Sequence, residues 1–227
     1  GAVQYMASKA INSEEEIVKY YGISLPTNSP SYYPILCNLI AQMAYITGEE
    51  SLYDSTFYGS TLFKDTFANL CGINSLIKIE NNMDKIMVSE EKAIKLNTKL
   101  MSDKCEGMKA QKVAKKIEEC KNKINNLYFE TQKLIFTSYF NNQFNKILTT
   151  ADIDEYRLRL YNYKNYIGIS ENYSEFNQFY INKMIDLDNK YESIVNNTSL
   201  TIISDSKITK FFRKLKSILS ATVELNK

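Results

Sequence analysis

"MKAQKVAKKIEECKNKINNLYFETQKLIFTSYFNNQFNKIL", residues 108–148, decides the fold. Within it Val113, Ile117, Cys120, Ile124, Leu127, Thr131 and Leu134 alternate steps of four and three, while the other positions are largely Lys, Glu, Asn and Gln. Such steps return a side chain to the same face of a 3.6-residue turn, so the stretch predicts one amphipathic helix. At about 1.5 Å per residue, some ~40 residues make a rod of ~60 Å. In a chain of 227 residues a rod of that length belongs in an elongated bundle.

The flanks read the same way. From Asn74 onward Ile79, Met83, Ile86, Ile94 and Met101 lie near a three-four repeat, which predicts a helix of about 30 residues. Further upstream "ILCNLIAQMAYITG" (35–48) is apolar nearly all round and predicts a deeply buried helix ending at Gly48. Residues 49–72 read as short helical pieces broken at Gly59 and Gly72. "INSEEEIVKYYG" (11–22) offers Ser13 as N-cap, Glu16 as its capping-box partner and Gly22 as a stop, which predicts a short helix of about two turns. Downstream, Thr150 is placed to cap a helix. There Tyr156, Leu158 and Leu160 alternate like a strand, but Ile153, Tyr156, Leu160, Tyr163 and Ile167 hold the helical step over a longer window. Gly168 punctuates, and Ser170 caps a stretch in which Tyr173, Phe176, Tyr180, Leu187, Tyr191 and Ile194 again keep helical spacing. "NNTSLTII" (196–203) reads as a linker, and Ser204 or Asp205 starts a final helix.

The expected fold is therefore all-α: an elongated up-and-down bundle of four long helices with short N-terminal ones and no sheet core. Residues 1–227 read as one domain, with 204–227 a detachable C-terminal amphipathic helix. Seven Gly and three Pro are few for a sheet protein, because hairpins need frequent turn residues and helices need them only at their ends. The opening Gly, in place of Met, reads as a trimmed start, so the natural N-terminus is expected to lie elsewhere.

Composition excludes whole classes of chemistry. There is no His and no Trp, which removes imidazole bases, Ser-His and Cys-His nucleophile pairs and His-liganded zinc. The four thiols, Cys37, Cys71, Cys105 and Cys120, contain no C-x-x-C pair and read as buried and unpaired. Cys105 and Cys120 would stand about 22 Å apart on one continuous helix, and could bond only if the chain turned at "SDKCEGM". The acidic pair "DIDE" (152–155) reads as charge favoured in a helix's opening turn, and "DLDN" (186–189) lacks the Gly and terminal Glu of a calcium loop. Tyr156, Tyr161, Tyr163 and Tyr166, interleaved with Arg157, Arg159 and Lys164, could stack bases, but bundle seams use Tyr more often than nucleic-acid sites do. With 28 basic and 26 acidic side chains the net charge is too small for a dedicated nucleic-acid binder. No catalytic, cofactor or metal residue is expected, and the chain does not read as an enzyme.

The closing segment "SDSKITKFFRKLKSILSATVELNK" (204–227) carries the functional signal. Ile208, Phe211, Phe212, Leu215, Ile218, Leu219 and Val223 fall within one apolar arc, opposite Lys207, Lys210, Arg213, Lys214 and Lys216. A basic helix with aromatic residues on its apolar face suits an interface with anionic lipid, where area burial and headgroup attraction add. Lys207, Lys210, Phe211, Phe212, Arg213, Lys214, Leu215 and Lys216 are the candidate membrane-binding residues. The same pattern also suits a surface helix of a bundle, and both hold if the helix can undock.

A His-free and Trp-free chain rich in Asn, Lys and Tyr, with long amphipathic helices and a terminal "KITKFFRKLKSIL", resembles secreted malaria-parasite proteins. In size and expected four-helix layout it is most similar to the sporozoite microneme proteins of cell traversal. The resemblance implies secretion from micronemes, passage through host cells and association with the host-cell membrane. The helical reticulocyte-binding invasion ligands are the rival within the same organisms, but the Cys spacing does not match their tied helices. A helical effector from another AT-rich genome is a further alternative. The other functional class is a soluble adhesin or adaptor of an invasion complex that binds a protein partner without touching lipid.

Overall fold

The computed structural model describes residues 1–11, 14–102, 106–171 and 175–196. In chain order these form α1 (Ala2–Ala10), β1 (Glu16–Tyr20), β2 (Ile23–Thr27), α2 (Pro34–Thr47), α3 (Glu49–Phe57), α4 (Leu62–Cys71), α5 (Ile73–Leu100), α6 (Gly107–Phe144) and α7 (Thr150–Tyr163). A 3-10 turn, Lys164–Tyr166, follows α7. Residues 175–196 are helical and are called α8 below. The protein is thus mostly helical, as the periodicity predicts.

Two of these helices are long. α6 runs for 38 residues and α5 for 28, and they lie antiparallel, with Lys78 Nζ 2.9 Å from the Glu130 carboxylate across the seam. Val113, Ile117, Cys120, Ile124 and Thr131 are buried as their spacing requires. From Tyr128 on, the buried set widens to Phe129, Gln132, Ile135, Phe136, Tyr139 and Phe140. The C-terminal half of α6 is therefore surrounded, whereas its N-terminal half keeps a single apolar stripe. Near the α5–α6 tip, Val113 and Ile117 pack with Leu96, Leu100 and Ala110 in a separate small cluster.

α2 supplies the centre. All of its residues except Tyr45 and Thr47 are buried, because no face of its sequence is polar enough to meet water. α1, α3, α4, α6 and β2 all pack against it. α7 and α8 close the far side: Ile153, Tyr156, Leu160 and Tyr163 from α7, with Phe176 and Leu187 from α8, join the main core. Phe136 meets Phe176 and Phe179 at ring-centroid separations of 5.2 and 4.9 Å. Among the described residues the buried members of this core run from Tyr5 to Leu187.

Four expectations need correction. Residues 16–20 are a strand and not a helix: β1 pairs antiparallel with β2, Tyr20 opposite Ile23. The Tyr21-Gly22 turn between them takes positive φ at both positions, 51° and 82°, which matches the twist of a two-residue hairpin and favours Gly. Ser24 also exchanges both backbone hydrogen bonds with Ile169, at 2.8 Å each, so the segment after α7 lies beside the hairpin. Second, the N-cap of α7 is Thr149 and not Thr150; its hydroxyl accepts from Asp152 N while the Asp152 carboxylate accepts from Thr149 N. Third, Ile94 and Met101 are exposed, because the buried stripe of α5 drifts to Ile86, Ser89, Glu90 and Ala93. Fourth, α5 ends at Leu100 and α6 begins at Gly107, so no continuous helix runs from residue 105 to Cys120. Cys105 itself, like Ser13 and Tyr173, lies outside the described residues, and so does the segment 204–227.

Candidate functional site

Lys207, Lys210, Phe211, Phe212, Arg213, Lys214, Leu215 and Lys216 all lie outside the described residues, so the structure neither gathers nor separates them. What it does gather is three polar sites of another kind and one exposed aromatic corner.

The first is a buried amide network that the sequence reading missed. Asn38 and Gln42 enter from α2, Tyr128 and Gln132 from α6, and Tyr163 from α7. The Gln132 amide pairs with the backbone of Gly168: its Nε2 donates to Gly168 O at 2.9 Å and its Oε1 accepts from Gly168 N at 2.8 Å. That oxygen also accepts from Gln42 Nε2 at 3.0 Å. Asn38 Nδ2 donates to the carbonyls of Pro26 and Tyr166, both at 2.9 Å, and Asn38 Oδ1 accepts from Tyr128 OH at 2.7 Å. Tyr163 OH donates to Gln42 Oε1 at 3.0 Å. These groups satisfy one another, which is what makes their burial tolerable. The network ties the hairpin, α2, α6 and the segment after α7 together, and offers no free group for catalysis. An Asn and a Gln four residues apart on an otherwise apolar helix are the signal that could have found it.

The second is Glu90, only 1% exposed on α5. Neither carboxylate oxygen has a hydrogen-bond partner among the described residues. Burial pushes its carboxyl up from 4.5 to about 7, partly opposed by the terminal ammonium of Gly1. Tyr20 and Tyr21 of the hairpin and Cys37 of α2 feel its charge and are raised in turn, each mainly by its own burial. Tyr20, Tyr21 and Cys37 thus favour their neutral forms, and Glu90 is the group among them whose charge changes near neutral pH.

The third is a cleft of about 340 Å³ between α1, β2 and α2, lined by Tyr5, Lys9, Asn28, Cys37 and Tyr166 among others. Tyr5 OH donates to Glu49 at 3.1 Å, and Asn28 Nδ2 to Tyr5 O at 3.2 Å. Burial raises the Cys37 thiol, which keeps it protonated and unreactive. Cys37, Cys71 and Cys120 are free and buried, as expected, and burial pushes the Cys71 thiol up to about 12.

The fourth is an aromatic corner where α3 meets α4. Tyr53, Phe57, Tyr58 and Leu62 are exposed together, with Tyr53 4.7 Å from Phe57 and 5.9 Å from Tyr58 between ring centroids. Glu50 and Asp54 stand on the same helix. The cluster offers apolar area beside the carboxylates of α3.

The acidic pairs behave as ordinary surface charge. Asp152 is the N3 partner in the capping box of α7, and hydrogen bonds from the Leu148 and Thr149 amides hold its carboxyl below the usual range. Asp186 and Asp188 pair with Lys183 and Arg157 respectively. Among the described residues no group of three or more His, Cys, Asp or Glu could hold a metal ion, and no helix is long and apolar enough to cross a membrane. No family model, curated protein or solved structure matches the chain.

Proposed function

We propose that the chain is a secreted, non-enzymatic helical protein that acts at host-cell membranes in parasite cell traversal, with 204–227 as its lipid contact. The observation that carries this reading is the tail's own pattern: Lys207, Lys210, Arg213, Lys214 and Lys216 opposite Phe211, Phe212, Leu215 and Leu219. Each basic residue near an anionic surface contributes about 1 kcal/mol, and the apolar arc adds burial in the interface. In this reading the tail is the fourth long member of an up-and-down bundle, one that can detach. The setting in a malaria parasite and its micronemes rests on the resemblance in composition and layout.

The test is flotation of the full chain with vesicles of phosphatidylserine and phosphatidylcholine. The parent chain should float, and a chain with Phe211 and Phe212 changed to Ser and the five basic residues to Gln should stay at the bottom. Equal behaviour of the two would remove the tail from the mechanism.

A second reading is favoured by the aromatic corner. Tyr53, Phe57 and Tyr58 beside Glu50 and Asp54 suit a protein partner better than anionic lipid, because aromatic clusters dominate protein hot spots and acidic neighbours are repelled by anionic headgroups. In that reading the chain is a soluble adhesin or adaptor of an invasion complex.

A further inference from the structure

We infer that the outer groove between α7 and α8 is the resting seat of residues 204–227 of this same chain. The inference stands apart from lipid binding, since it concerns where the tail rests when no membrane is present.

α7 and α8 run antiparallel. Arg157 pairs with Asp188 at one level, and Lys164 stands 3.6 Å over the Tyr180 ring at another. At about 100° per residue, Leu158 and Tyr161 of α7 project to the side that Ile181 and Ile185 of α8 also reach. All four are more than half exposed. By this projection they form an apolar strip along the outer side of the two helices, which the Arg157–Asp188 pair bridges. At the end of the strip nearer the C-terminus of α8, the projection places Asp154, Asp188 and Glu192. Three carboxylates there face one guanidinium, that of Arg157, which lies 3.7 Å from Asp154 besides pairing with Asp188.

Three features select the tail as occupant. Length fits: as a helix at about 1.5 Å per residue, 204–227 spans ~36 Å against ~33 Å for 175–196. Position fits: the described chain ends at residue 196, at the acidic end of the groove, and residues 197–203 can reach up to ~23 Å at about 3.3 Å each, enough to reverse direction. Charge and order fit as well. A tail running back along α8 brings Lys207, at the flank of its apolar arc, past Asp154, Asp188 and Glu192 first, and then lays Phe211, Phe212 and Leu215 on Leu158, Ile185, Tyr161 and Ile181. Anionic lipid is disfavoured here by the same carboxylates that attract the tail.

The chain has no Trp, so Phe212→Trp introduces a single indole reporter into the full chain. Excited where Tyr does not absorb, and without lipid, it should emit to the blue and be protected from acrylamide. Adding Ile181→Glu and Ile185→Glu, both at half-exposed positions that the fold does not need apolar, should move the emission to the red and abolish the protection while circular dichroism is unchanged. Asp154→Lys with Glu192→Lys leaves the apolar strip intact and should weaken the protection through repulsion. Ile94→Glu, on the remote exposed side of α5, should change nothing. An indole already exposed in the Phe212→Trp chain overturns the inference, as does protection that survives the groove substitutions. Protection lost on dilution overturns it too, by making a second copy the occupant.

Discussion

Gly168 leaves no room for a side chain: a Cβ built there would stand 1.9 Å from the Tyr128 hydroxyl. Since that hydroxyl is held by Asn38, it cannot swing away without breaking the amide network. Gly168→Ala should therefore cost about 2–3 kcal/mol, read as a lower urea midpoint, with amide exchange at residues 166–170 accelerated first. Glu90 makes a second residue-scale prediction. With its carboxyl lifted from 4.5 to about 7, the folded state keeps a proton between those values that the unfolded chain has lost. Stability from this group is thus full below the lower value, falls as pH rises through the window, and is lost above it. Glu90→Gln should be more stable than the parent by on the order of 2–3 kcal/mol near pH 8 and about equal to it near pH 4. Chemical denaturation across that range checks it, and a difference independent of pH would contradict the assignment. Of these residues the sequence shows only that Gly168 ends a helix. Its fit against Tyr128 depends on elements forty residues apart, and the burial of Glu90 depends on a stripe that drifts along α5.

Elements were legible where one signal governed them and misread where two competed. The stripe of α6 and the apolar circumference of α2 are each set by side-chain burial alone, and both helices formed where their patterns place them. In residues 11–22 the run Glu14, Glu15, Glu16 and a Ser three places before an acid imitate a helix start, while Ile17, Val18, Tyr20 and Tyr21 favour a strand. The strand wins because Tyr21-Gly22 can turn the chain tightly and β2 offers Ile23, Leu25 and Thr27 to the core on alternate positions. Helix propensity is a weak prior against such pairing. Gly22→Ala, at φ 82°, should destabilise the hairpin by about 1 kcal/mol, seen as earlier exchange of the β1 and β2 amides with little change in α5 and α6. Ile94 and Met101 were misplaced for a different reason. A straight helix turns slightly past a seven-residue repeat, so a stripe counted in threes and fours slides off the core over several turns.

At the scale of the molecule, one main core draws buried residues from α1 to α8, from Tyr5 to Leu187 among the described residues. The all-α class was legible from length, periodicity and the scarcity of Gly and Pro; the order of packing was not, because α1 to α4 are too short for their partners to be read from their faces. The candidate membrane residues were legible only as a pattern on one helix, since a basic amphipathic segment reads alike whether it meets a protein groove or a lipid surface. The proposals give 204–227 a seat on α7 and α8 in the first case and a lipid contact in the second. The most direct measurement is vesicle flotation of a chain ending at residue 203 beside the full chain, with the circular dichroism of both recorded. The account predicts that the shortened chain keeps its helical spectrum and cooperative unfolding but no longer floats with phosphatidylserine vesicles, while the full chain does. A shortened chain that floats as well as the full one, or that loses its fold, would contradict it.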